Sequence, residues 1–379
     1  MSRSEKNKLK EVALLFMKLG VIAFGGPAAH IAMMQEEVVI KRKWMTEQHF
    51  LDLLGATNLI PGPNSTEMAI HIGRERAGWK GLLIAGMCFI LPAVFITGTL
   101  AFLYKKYGTL PDVRFFIYGI KPAIIAIILT AIVPLAKKSL KTIELVIIGS
   151  IALCLSLFHI SELYVLFGAG LLALLLSAFK KHNSPSKSSV LFPVTLMPVS
   201  ITTVFSYTKL KLFLTFLKIG AILYGSGYVL FAFLDTEFVL TGILPRQQLM
   251  DAIAVGQFTP GPVFSSVTFI GYQLNGIPGA ALATIGIFLP SFLFVAFLNP
   301  LVKKMRESVL LSVFLDAVNV ASVAVIVAVC YQMGKDSISD WRTVFILISS
   351  FIVLLKVKKM NSAFIVIGGA LAGYLLTFI

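Results

Sequence analysis

Two Pro-Gly-Pro breaks carry the first chemical signal. Pro61-Gly62-Pro63 runs straight into Asn64-Ser65-Thr66, and Pro260-Gly261-Pro262 is followed by Val263-Phe264-Ser265-Ser266. Each reads as a helix stop and then a helix start, because proline is tolerated in a first turn and Asn, Ser and Thr suit N-caps. A helix N-terminus offers unpaired N–H groups and about half a unit of positive charge, so it binds anions. A second pair of breaks, Phe24-Gly25-Gly26-Pro27 and Tyr224-Gly225-Ser226-Gly227, offers the same chemistry. The expected substrate-binding set is therefore Gly25, Gly26, Pro27, Pro61, Gly62, Pro63, Asn64, Ser65, Thr66, Gly225, Ser226, Gly227, Pro260, Gly261, Pro262, Ser265 and Ser266. The competing reading is that the breaks are packing kinks.

Charged residues inside apolar stretches extend the set. Lys18 and Lys218 occupy equivalent places two hundred positions apart, and Lys121 lies about 10 Å into an apolar run at about 1.5 Å per residue. Anion attraction is the functional reading for all three, and snorkelling is the alternative for the first two. The acids Glu37, Glu237, Asp52 and Asp251 are candidates for proton coupling or for pairing with those lysines. Arg74 and Arg76 either line a vestibule or fix topology. No catalytic constellation, metal site or cofactor is expected. The five histidines form no HxxH or HExxH pair, Cys88, Cys154 and Cys330 are far apart, and no Walker A sequence is present.

The elements that must position these residues follow from composition. Of 379 residues, 57% are AVILMFWYC and 13% are charged, and mean hydropathy is +0.89. Soluble chains carry about 25% charge, and a single soluble core stops growing beyond about 250–300 residues. Disorder, a nucleic-acid module and a disulfide scaffold are excluded, leaving an all-α polytopic membrane protein. The net charge of +15 is then a surplus of basic residues in cytoplasmic loops. No cleavable signal peptide is expected, since the basic start leads into an apolar run without an A-x-A site.

The chain is duplicated. Phe16-Met17-Lys18-Leu19-Gly20 matches Phe216-Leu217-Lys218-Ile219-Gly220, and Gly25, Glu37 and Gln48 match Gly225, Glu237 and Gln248. After single-residue deletions, Asp52 matches Asp251, Pro61-Gly62-Pro63 matches Pro260-Gly261-Pro262, and Leu91-Pro92 matches Leu289-Pro290. The domains are a first repeat at 1–181, a linker at 182–210 and a second repeat at 211–379. Each repeat opens with short broken pieces (12–24, 28–40, 47–60 and 64–74 in the first), which fit re-entrant helices. Four full spans are then expected in each: 81–104, 115–136, 142–158 and 163–179, against 277–302, 308–334, 343–355 and 361–379.

Loop charge predicts that the repeats are inverted. Basic residues flank 74–80, 137–141 and 180–187 in the first repeat, which places those loops in the cytoplasm. In the second repeat the basic loops are the alternate ones, with Lys303, Lys304, Arg306, Lys356, Lys358 and Lys359, while 272–278 is uncharged. Lys105 and Lys106 are discordant. Inversion with an even number of crossings requires one extra crossing, for which 190–207 is the candidate and a surface-lying linker the alternative.

These residues also resemble a known family. Phe24-Gly25-Gly26-Pro27-Ala28-Ala29-His30-Ile31, then Trp44, Pro61-Gly62-Pro63, the Gly73, Gly78, Gly81 spacing and Leu91-Pro92 look like the chromate ion transporter (CHR) family in its long, two-domain form. The second half lacks counterparts of Pro27, His30, Trp44 and Arg74, so the halves are not equivalent if those residues act. The resemblance implies a secondary active transporter that exports chromate, with sulfate as a similar oxyanion, and confers chromate resistance. An oxyanion channel, or a carrier of sulfate or another anion, is the alternative, and a membrane enzyme has no site to recommend it. The expected partners are a small oxyanion and the lipid bilayer of the cytoplasmic membrane, with a homodimer left open and no nucleic acid.

Overall fold

The computed structural model describes residues 3–108, 111–182, 208–225, 227–357 and 360–376. The expected extra span at 190–207, Ser226, Lys358 and Lys359 lie outside the described residues.

The first repeat comprises α1 (Arg3–Ile22), α2 (Gly26–Gln35) continued by a π-helical turn (Glu36–Lys41), α3 (Glu47–Thr57), α4 (Asn64–Tyr107), α5 (Pro111–Ser139), α6 (Ile143–Leu157) and α7 (Glu162–His182). The second comprises α8 (Lys209–Ile222), α9 (Val229–Leu234) with its own π-helical turn (Asp235–Val239), α10 (Arg246–Phe258), a 3-10 turn (Val263–Ser265), α11 (Ser266–Glu307), α12 (Val309–Ser337), α13 (Trp341–Lys356) and α14 (Ser362–Leu376). Among the described residues every regular element is helical, as the bilayer demands of chains that must satisfy their own backbone.

At 44 residues, α4 would be about 66 Å long as a straight rod, twice a hydrocarbon core of about 30 Å. It is instead a hairpin. Gly78 has φ +62 and ψ −150, a conformation that essentially only glycine adopts, and with Ala77 it reverses the chain. The inner arm (64–76) then folds back on the long arm (79–107). A Cβ on Gly73 would strike the Gly81 backbone, and Ile70 packs over Gly86. In α11, Asn275 and Gly276 (φ +61) make the same reversal, and Thr268 meets Thr284 at 2.8 Å across the two arms. The short-then-full division expected at these places is what forms.

Cross-repeat contacts fix the relative direction of the halves. Lys141, just past the end of α5, bonds Asp316 near the start of α12 at 2.7 Å. Tyr118, near the start of α5, donates to Asp340 just past the end of α12. These two helices are repeat mates and run antiparallel, so the repeats are inverted. They are also interleaved, with α6 and α7 packing on α12, and α13 and α14 packing on α5. The long arms of α4 and α11 carry exposed Phe95 and Phe297, as lipid-facing surfaces do.

Two expectations need correction. α1 begins at Arg3 and not near residue 12, because its first turns are held by ion pairs of Glu11 with Arg76 (2.7 Å) and Glu5 with Lys80 (3.7 Å). Four full spans per half is too many by length, since α6 and α14 have 15 residues and α13 has 16, against about 20 for a spanning helix.

Inversion places Lys80 and Ile277, at equivalent bends, on opposite faces. Both are exposed. In a variant without the native cysteines, an impermeant thiol reagent is expected to label Lys80→Cys and Ile277→Cys from opposite sides. Labelling of both from one side would contradict the arrangement.

Candidate functional site

All four breaks meet at half depth. The Gly62 N–H donates to the Leu223 carbonyl at 2.8 Å, and the Gly261 N–H donates to the Ala23 carbonyl at 2.8 Å. Leu223 and Ala23 are repeat mates, as are the two glycines, so each Pro-Gly-Pro loop is pinned to the broken helix of the other repeat. Gly261 packs beside Ala93, midway along the α4 long arm, and Gly62 beside Ser291, near the middle of the α11 long arm. The other two breaks face each other. The Pro27 ring lies against Gly227, and the Tyr228 hydroxyl lies over Gly26. Gly225 sits by Ser322 and Asn319, with the Ser322 hydroxyl donating to the Tyr224 carbonyl at 3.1 Å.

The N-capping expected of Asn64, Ser65 and Thr66 does not occur. Pro63 and Pro262 hold the N-cap positions without side-chain caps, and Asn64 donates to Asn58 at 2.8 Å. The Pro63 carbonyl accepts from the Thr66 and Glu67 N–H groups, so the orphan donors of the first turn are those of Asn64 and Ser65. The hydroxyls freed from capping are buried. Ser65, Thr66, Ser265 and Ser266 are each 2% exposed or less, Thr97 reaches Ser265 at 3.4 Å, and the Thr66 and Ser266 hydroxyls have no partner. An unpaired buried hydroxyl costs about 1–3 kcal/mol, which makes this concentration within an apolar fold the candidate site.

The sequence pattern overlooked several groups here. Glu67, one residue beyond Thr66, is fully buried with both oxygens unpaired, and Ser291, Gln257, His30 and His71 also carry unpaired buried atoms. Glu67 had a legible signal, as an acid in a short apolar helix directly after a break. Ser291 follows Leu289-Pro290 and becomes notable only when the α11 long arm passes Gly62.

The charged candidates lie elsewhere. Lys18 bonds Glu37 at 2.8 Å, and Lys218 bonds Glu237 in the same manner, so the duplicated charges are duplicated ion pairs. The Lys18 hydrogen bond, with help from Arg42 and Lys41, holds the Glu37 carboxyl below the usual carboxylate range. Asp251 is buried and accepts from Tyr104 at 2.6 Å near the outer end of the α4 long arm, where Lys121 attracts it. Its mate Asp52 is only partly buried and accepts from Gln48 at 3.4 Å, so the two acids are not equivalent. Arg74 donates to the Val295 and Ala296 carbonyls at 2.5 and 2.9 Å. Ala296 has no helical donor because residue 300 is proline. Arg76 pairs with Glu11 and lies over Trp44 at 4.9 Å.

Inverted repeats whose broken helices meet midway along the long arms are an architecture found among membrane transporters. The family described as chromate transporter matches residues 10–174 and again 210–374, and the chain belongs to it. A chromate transport protein of Cupriavidus metallidurans is 31% identical over 96% of this chain and 92% of its own length. A probable chromate transport protein of Synechococcus elongatus is 30% identical over 96% and 95%. An uncharacterized transporter of Methanocaldococcus jannaschii is 27% identical over 96% and 94%. No solved structure matches significantly.

Gly62 has φ +137, and a Cβ there would come within 3 Å of both the Glu67 carboxyl and the Ser291 hydroxyl. Gly62→Ala is expected to abolish chromate flux in proteoliposomes. Gly242→Ala is similarly strained (φ +72) but meets nothing within 4 Å, and it should cost only stability. Arg74→Met is expected to lower stability by about 1.5–3 kcal/mol, the scale of hydrogen bonds from a charged group, read as an earlier midpoint in detergent denaturation.

Proposed function

We propose that the chain is a secondary active transporter exporting chromate across the cytoplasmic membrane, and that both Pro-Gly-Pro breaks supply one oxyanion site. The observation that carries this reading is the cluster of buried hydroxyls around the breaks, with Thr66 and Ser266 unpaired and Ser65 and Ser265 beside them. A tetrahedral dianion losing its water needs several donors at once. First-turn N–H groups and hydroxyls supply them without burying a full opposite charge. Sulfate has the same shape and charge and is expected to compete.

Burial of the whole cluster favours a carrier over a channel. With these groups at 2% exposure or less, the anion must be enclosed before it is released. Outward direction follows from energetics. A dianion leaving a cell that is negative inside gains about 4.6 kcal/mol per 100 mV, enough for roughly a two-thousandfold gradient. The positive-inside rule places the face bearing Arg74, Lys80 and Lys141 in the cytoplasm, where the anion would enter.

Uptake of labelled chromate and sulfate into proteoliposomes under an imposed potential tests this. Saturable chromate accumulation is expected in vesicles made positive inside. Pro63→Leu and Pro262→Leu should abolish it with membrane expression retained. Thr66→Ala or Ser265→Ala should raise the half-saturating chromate concentration about five- to thirtyfold, or about 1–2 kcal/mol. Normal transport by both proline variants would reduce the breaks to kinks.

A further inference from the structure

We propose that Glu67 takes part in oxyanion binding as a neutral acid, its carboxyl O–H donating a hydrogen bond to the anion, so that chromate transport requires a proton on this residue. The inference rests on the oxyanion site proposed above and adds to it a specificity-determining residue. Glu67 is fully buried, neither carboxyl oxygen is in a well-formed hydrogen bond, and the Ser291 hydroxyl is the polar side-chain group set against it. Among the described residues no lysine, arginine or histidine forms an ion pair with it.

The groups facing Glu67 are weakly polar or neutral. From α11 it is Ser291, whose hydroxyl lies with the carboxyl on one side of Gly62. From the break between α8 and α9 it is Tyr224. On its own helix, His71 lies one turn on, itself buried with an unpaired ring nitrogen, and Arg74 beyond it is committed to the α11 carbonyls. An ionised carboxylate enclosed without a partner is very costly, and a dianion beside it would add like-charge repulsion. A protonated carboxyl removes both penalties and turns an acceptor into the kind of donor the anion needs. The repeat mate is Ser266, also buried with an unpaired hydroxyl. The two halves thus present one O–H each at equivalent positions, and only the first belongs to a carboxylic acid. When the site opens, the proton exchanges with water on the exposed side. Closure over the anion requires the protonated form.

The test is chromate uptake into proteoliposomes at several pH values where chromate is the dianion. Glu67→Gln and Glu67→Leu are compared with wild type at each pH, so that titration of the substrate cancels. The Gln amide keeps a neutral donor. Glu67→Gln should therefore transport with a half-saturating concentration independent of pH, while that of wild type rises with pH, by up to about tenfold per unit for one required proton. Glu67→Leu keeps neutrality but loses the donor, and should bind chromate about tenfold or more weaker at every pH. A wild type without this pH dependence, or a leucine variant equal to wild type, would overturn the proposal. A second readout stands if the variants do not fold. In wild-type protein, the infrared band of a protonated carboxyl should shift on adding chromate, and an unchanged band would count against Glu67. Absence of chromate flux in wild type would instead sink the oxyanion-site reading itself.

Discussion

The structure depends on two reciprocal hydrogen bonds, from the Gly62 N–H to the Leu223 carbonyl and from the Gly261 N–H to the Ala23 carbonyl. Breaking a helix in the middle of a bilayer strands backbone donors and acceptors where no water can serve them. Here inversion about the α4–α11 contact pairs one such donor of each repeat with an acceptor of the other. Neither half satisfies its breaks alone. The interleaving of α6 and α7 with α12, and of α13 and α14 with α5, commits the rest of the chain to the same pairing.

With the backbone of the breaks satisfied in this way, the site's polarity comes from orphan first-turn N–H groups and from side chains. Proline at both N-cap positions removes the usual side-chain caps, and the Thr66 and Ser266 hydroxyls are without partners. The halves then diverge in side chains from a common backbone. Position 67 is a glutamate and its mate a serine, Asp251 is buried where Asp52 is only partly buried, and Arg74 clamps α11 where its mate is Tyr272. Duplication gives the site its geometry, and divergence gives the two sides different chemistry.

Exact repetition is also where a functional guess is most easily misled. Lys18 and Lys218 recur in register, but so do Glu37 and Glu237, and the lysines hold these acids. Each pair ties α1 or α8 to the π-helical turn that follows its break. These pairs steady the re-entrant hairpins and lie apart from the cluster of unpaired hydroxyls.

Composition alone determined a polytopic helical protein, because 57% apolar and 13% charged residues leave no other solvent for most of the chain. The in-register Pro-Gly-Pro and Leu-Pro motifs determined the duplication, and loop charge determined its inversion, since both are local facts of covalent sequence. Short pieces against long runs also separated the inner arms from the long arms, because Gly78 and Gly276 are needed where the chain reverses. Tertiary structure decided what those patterns could not. Whether a break's N–H is spent or free depends on a carbonyl in the other repeat, as Gly62 and Leu223 show. Whether a duplicated charge is a ligand or half of an ion pair depends on its partner's position. Glu67 became a candidate only when the α11 long arm packed over it with Ser291, because burial is a property of the packed whole and not of any one segment.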